Sequence, residues 1–224
     1  MTKKVTVEVF KDAHYPELDS DDVAHALATV DVIKPFVEVI NRNRKLKLGD
    51  SQPKDILDTK KRLRVVRDTD AIMFFTGRHI LAESEDKEDS HTTGIYMHDS
   101  RVGVVSTLTQ SVTRTSRHEL GHYLYTCGGV VSETADELDH CSDENCLMHA
   151  YGLTHTRRII PSKMGRRAAE ALGFRMPQFE EVANTTDYCG NCETSLGKSA
   201  YILTVAKENL MLAGIIRDGM TKRS

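Results

Sequence analysis

The sequence predicts an α+β protein, a twisted mixed sheet with helices packed on it, one of which carries the candidate active site. Three stretches lead to that reading. Lys4 to Phe10 alternates Val5, Val7 and Val9 to one side, the period of a half-buried strand. Ala71 to Thr76 (AIMFFT) is an unbroken apolar run of strand length, as expected of a central strand covered on both faces. Arg117 to Met148 opens with His118-Glu119-Leu120-Gly121-His122, a spacing that puts two imidazoles on one face of a helix.

In chain order, the first strand is broken by His14-Tyr15-Pro16. Ser20 suits an N-cap, with Asp21 and Asp22 in the first turn. From there Val23, Leu27, Val30, Ile33, Val37 and Ile40 recur at roughly helical spacing. The expectation is a long helix kinked or broken at Pro35. Its basic tail, Arg42, Arg44, Lys45 and Lys47, reads as a solvated helix end that complements the dipole. Pro53 to Leu63 suggests a short polar helix, and Glu83 to Asp89 an acidic solvated loop without the spacing of a calcium loop. Thr93–Met97 and Val102–Leu108 are β-rich runs joined by His98-Asp99-Ser100-Arg101, hence a hairpin.

The helix that carries His118 and His122 should run from about Ser111 to Thr126, capped by Thr109 or Ser111 and stopped by Gly128-Gly129. Residues 130–161 read as loop. A helix is expected over Ser162–Leu172, ended by Gly173, and a last long one over Thr194–Ile216. No repeat or linker divides the 224 residues. One domain is therefore expected over 1–224, with lobes at about 1–128 and 129–224.

Composition narrows the class. Hydrophobic residues make up 39% and charged residues 28% of the chain, and the formal net charge is −3. That balance gives no electrostatic footprint for nucleic acid or an anionic membrane. No apolar run reaches the length of a signal sequence or a membrane span, so a cytoplasmic location is expected. Of five cysteines, four fall in two close pairs, Cys141/Cys146 and Cys189/Cys192. In a reducing compartment such pairs more often bind metal than form disulfides. Cys127 reads as a small buried apolar residue at a helix end.

His118 and His122, one turn apart, can hold one metal ion. Glu119 lies near enough to take a proton from a water that the metal activates. Zinc then needs a third protein ligand. His140 is the foremost candidate, with His149, His155, Glu133 and Asp136 as competitors. A second class of reading is a non-catalytic zinc-stabilised binding or regulatory module that keeps H-E-x-x-H only as a metal clamp. The presence of Glu119 argues against it, because a clamp needs no uncoordinated carboxylate beside its ligands.

The order His140-Cys141-x4-Cys146-x-Met148, followed by Cys189-x2-Cys192, resembles the archaemetzincin signature. The resemblance spans residues 71 to 192 and implies a metzincin-like zincin fold, with a smaller C-terminal lobe. It implies a zinc-dependent peptidase whose catalytic zinc is held by His118, His122 and His140, with Glu119 as general base. Met148 would form the Met-turn beneath the site. Cys141, Cys146, Cys189 and Cys192 would hold a second, structural zinc. The partner would be a peptide or protein substrate. The chain departs from the family pattern in two places. Tyr125 stands where a glycine is usual, so that His140 comes twelve residues late, and the interval from Met148 to Cys189 is long. Both read as loop insertions, for which closure entropy grows slowly with length.

Overall fold

The computed structural model describes residues 3–15, 17–46, 56–58, 69–82, 90–109, 111–149 and 187–221. Within them eight strands and three helices form. They are β1 (Val5–Asp12), α1 (Asp21–Ala28), β2 (Val37–Leu46), β3 (Ile56–Asp58), β4 (Ala71–Thr76) and β5 (His79–Ala82). Then come β6 (Ser90–Thr92), β7 (Gly94–Met97), β8 (Val102–Ser106), α2 (Val112–Gly128) and α3 (Gly190–Thr221).

Five strands make the main sheet, in the order β2-β1-β4-β8-β7. The first four are mutually parallel, and β7 closes one edge antiparallel to β8. β4 is buried at all six positions, and its alternate residues enter two different cores. Ala71, Met73 and Phe75 join Val5, Val7 and Val9 of β1 against Leu27 of α1, Leu120 and Leu124 of α2, and Leu196 of α3. Ile72 and Phe74 face the other way, with Phe10, Val102 and Val104, onto Leu57 and Ile80. Those two belong to a small second sheet, β3-β5-β6. Helices therefore cover one face of the main sheet and the small sheet the other, which is why AIMFFT has no polar alternation.

The expected helix over residues 21–40 is corrected. α1 ends at Ala28, Asp31 to Phe36 is a run of turns, and Val37 to Leu46 is strand β2, paired in parallel with β1. Pro35 lacks an N–H and disfavours helical geometry at Lys34. Beyond it Val37, Val39 and Ile40 satisfy their backbones in the sheet, where β-branched side chains pack well. Arg42 and Arg44 consequently lie on a sheet edge, 3.8 and 3.7 Å from the buried Glu8 carboxylate, and not at a helix end. Ser20 precedes α1, yet its hydroxyl donates to Asn41 Oδ1 and caps nothing. Within the expected polar helix over 53–63, Ile56–Asp58 is instead a strand paired with β5. The expectations for 83–89 and 162–172 lie outside the described residues.

The later elements follow the sequence closely. β7 and β8 form the hairpin. α2 starts at Ser111, whose hydroxyl accepts from the Arg114 amide at 3.3 Å, and ends at Gly129 with φ 74°, a left-handed cap that suits glycine. α3 packs beside α2, with Gly128 against Ser199. No helix among the described residues is long and apolar enough to cross a membrane.

Candidate metal centres

α2 lies across the helical face of the sheet, anchored by Leu120 and Leu124, both fully buried. With those two turned into the core, His118 and His122 project together from an adjoining face. Their Nε2 atoms are 3.0 Å apart. The segment after α2 returns so that the His140 ring lies 5.3 Å from that of His118 and 4.9 Å from that of His122. One ligand atom from each of the three lies within 4.8 Å of the others.

The surroundings suit a cation. His118 Nδ1 donates to the Leu147 carbonyl at 2.9 Å, which leaves Nε2 as the acceptor facing His122. Burial lowers the His118 pKa to about 4 and holds His122 well below the usual range. His140 is lowered too, again chiefly by burial, although Asp136 and Asp139 oppose it. Three neutral imidazoles with converging lone pairs fit a tetrahedral zinc site that keeps its fourth position open. His140 Nδ1 is buried without a hydrogen-bond partner. The nearest carboxylate, Asp136 Oδ1, is 3.8 Å away.

Among the described residues, none of the competitors for third ligand joins that group of ligand atoms. Glu133 is exposed. Asp136, also exposed, accepts from the His140 amide at 2.8 Å and so supports the loop from outside. His149 turns its Nδ1 to the Cys141 carbonyl at 2.7 Å. His155 lies outside the described residues.

Glu119 is 4% exposed, and burial raises its carboxyl pKa to about 8. It sits beneath β7 and β8, close to Gly94 and Gly103. Gly121, on the opposite side of the helix turn, is where Met148 packs. A Cβ there would come within 2.3 Å of Met148 Sδ. The thinning of the helix at this glycine therefore admits a methionine.

A second cluster forms next door. One sulfur from each of Cys141, Cys146, Cys189 and Cys192 lies within 4.8 Å of the others, and no disulfide joins them. Cys189 stands just before α3, and Cys192 is in its first turn. The Asp143 amide donates to Cys141 Sγ at 3.4 Å and the Cys189 amide to Cys146 Sγ at 3.3 Å. A hydrogen bond from Cys146 lowers Cys192 to about 5, and the same bond raises Cys146. Four close sulfurs with amide donors among them fit a structural zinc held by thiolates. Cys127 is not part of the cluster. It is half-buried, 3.5 Å from the Tyr96 hydroxyl.

Sequence reasoning missed four contributors. The Leu147 carbonyl carries no side-chain signal. Gly94 and Thr115 enclose the Glu119 carboxylate, a contact made only by packing. The Tyr188 hydroxyl donates to the Arg117 carbonyl at 2.8 Å, tying α2 beside His118 to the residue before Cys189.

The sheet, the helix that bears two histidines, and the paired histidine and cysteine clusters together define a zincin-like α+β architecture. Among solved structures it is similar to archaemetzincin from Methanopyrus kandleri, with TM-score 0.54 and 18% identity over 88% of this chain and 95% of that one. Archaemetzincin from Archaeoglobus fulgidus matches at TM-score 0.49 and 15% identity, over 85% of this chain and 99% of that one. A zinc-dependent peptidase from Methanocorpusculum labreanum matches at TM-score 0.48 and 16% identity, with the same coverage. The fold is archaemetzincin-like. No family model and no curated protein matches the sequence.

Proposed function

We propose that this protein is a zinc-dependent peptidase, with a catalytic zinc on His118, His122 and His140 and a structural zinc on Cys141, Cys146, Cys189 and Cys192. One observation carries the reading. Glu119, buried beneath the edge strand β7, directly follows His118 on the helix that bears two of three converging imidazoles. The archaemetzincin-like fold supports it.

Zinc, when bound, supplies Lewis-acid polarisation of a carbonyl and eases deprotonation of a water. Glu119 takes the proton from the attacking water and returns it to the leaving amine. Burial alone raises its carboxyl pKa to about 8, and a neighbouring dication would favour the ionised form that accepts the proton. Among the described residues β7 has a sheet partner on one side only, so an extended peptide can pair with its outer edge. Met148, packed at Gly121, serves as the floor expected of a Met-turn.

Glu119→Gln tests the reading. The amide keeps the shape of the carboxylate but accepts no proton. Zinc content and thermal stability should stay near wild type, while cleavage of a peptide library should fall by at least about 10²–10⁴-fold. Equal cleavage by the variant overturns the mechanism. If the wild type cuts no member of the library across neutral pH, the non-catalytic zinc-stabilised module replaces it.

A further inference from the structure

Gly94 opens β7, directly over the proposed base. A Cβ built on it would lie 2.4 Å from Glu119 Oε1, 2.5 Å from Thr115 Cγ2 and 3.1 Å from Glu119 Cδ. The first two are closer than real Cβ contacts come, so something must shift, and at 3.1 Å the neighbour must give by a few tenths of an ångström. The need for glycine is steric: among the described glycines, positive φ belongs to Gly129, so Gly94 adopts a backbone open to other residues.

The three partners are held from outside. Gly94 pairs with Val105 of β8, and Ser106 donates to the Thr93 carbonyl at 2.8 Å. The strand therefore cannot lift without breaking its ladder. Thr115 lies one turn before Glu119 on the same helix face, and its hydroxyl is 2.9 Å from that of Thr109. Behind Glu119 the approach is again close, because a Cβ at Gly103 would come within 3.5 Å of Glu119 Cβ and 2.8 Å of Met73 Sδ. The carboxylate is enclosed by an edge strand, a threonine methyl and the helix that bears it.

We propose that Gly94 is a positioning residue for Glu119: by lacking a side chain it leaves, under the edge strand and beside Thr115, the volume the carboxylate occupies. It acts on the reaction through Glu119, and the inference rests on the peptidase reading. A side chain at position 94 would push the carboxylate out of that volume or lift the strand. Either displacement is of the size, about 1 Å, that costs on the order of 10²-fold in rate.

Gly94→Ala should lower kcat by about 10²-fold, with KM and zinc content nearly unchanged. A second measurement needs no hydrolysis. The drop in Tm caused by Gly94→Ala is compared in two backgrounds, wild type and Thr115→Ser/Glu119→Ala, the latter lacking the atoms that the new methyl would strike. The drop should be clear in the first and largely absent in the second. An equal drop in both, or a kcat for Gly94→Ala at the wild-type level, overturns the proposal. If Gly94→Ala alone does not fold, folding of the triple variant supports the proposal and its failure to fold overturns it. An inactive wild type would sink the peptidase reading by itself, and the two-background comparison would still decide whether Gly94 makes room for Glu119.

Discussion

At His118 the two ring nitrogens meet different partners. Nδ1 donates to Leu147, and Nε2 faces His122 Nε2 at 3.0 Å. The tautomer is set by a backbone carbonyl that sits one residue before Met148, the residue packed into the helix at Gly121. His118, the Leu147 carbonyl and Met148 are thus one local assembly. His140 enters from a loop and has no such carbonyl, only Asp136 at 3.8 Å. Replacing it decides the identity of the third ligand. His140→Ala should weaken one zinc by more than the roughly 10–100-fold typical of losing an outer-shell partner. Glu133→Ala and His149→Ala should leave zinc affinity near wild type. Competitive chelator titration of the three variants measures this, and a damaging Glu133→Ala would move the third ligand to a carboxylate.

At the scale of elements, α3 joins the cysteine cluster to the start of strands β1 and β4. Cys192 lies in its first turn, and Lys207 reaches Asp70, just ahead of β4, and the Lys4 carbonyl at 2.9 Å. The Thr6 amide and hydroxyl donate to the same Asp70 oxygen, both at 2.7 Å. Burial pushes the Asp70 carboxyl up, but the bonds from Lys207 and Thr6 together bring its pKa below the usual value. A lowered folded-state pKa means stability that is present above the unfolded value, roughly 3.9, and lost as pH falls through the folded one. Asp70→Asn should therefore cost about 1–3 kcal/mol at neutral pH, and the gap to wild type should close as pH falls below about 4. Denaturant unfolding of both proteins between pH 7 and 3 checks it. A gap that does not change with pH would mean that the ion pair contributes nothing.

Across the whole molecule the two centres share one segment. His140 and Cys141 are neighbours in sequence, and the Cys141 amide donates to the Met148 carbonyl at 3.0 Å. Leu147, whose carbonyl orients His118, follows Cys146, and its amide donates to Asp187, two residues before Cys189, at 2.9 Å. Protein purified without chelator should carry close to two zinc ions per chain by elemental analysis. Cys189→Ser should lose one of them together with much of the thermal stability, because structural zinc contributes folding free energy directly. It should also weaken the remaining ion, since the cysteine cluster holds residues 140–148 in place. A single zinc unaffected by Cys189→Ser would overturn the four-cysteine centre.

The strands β1, β4, β7 and β8, the capped helix α2 and the long helix α3 were legible in the sequence because local signals decide them: alternation, an unbroken apolar run, a serine cap, a glycine stop. The histidine and cysteine spacings were legible for a similar reason, since residues one turn apart on a helix, or a few positions apart along the chain, are held close by covalent geometry. Residues 37–46 misled, because their apolar spacing fits a helix while their backbones are satisfied by a parallel partner 32 residues earlier in the chain, as Val37 pairs with Val5. No local pattern reports such a partner. The convergence of His140 on α2, the turn of His149 away from it, the seating of Met148 at Gly121 and the room that Gly94 leaves for Glu119 were likewise decided by tertiary structure. Each depends on how closely two segments distant in sequence can pack, and close packing is settled by shape only after the chain has folded.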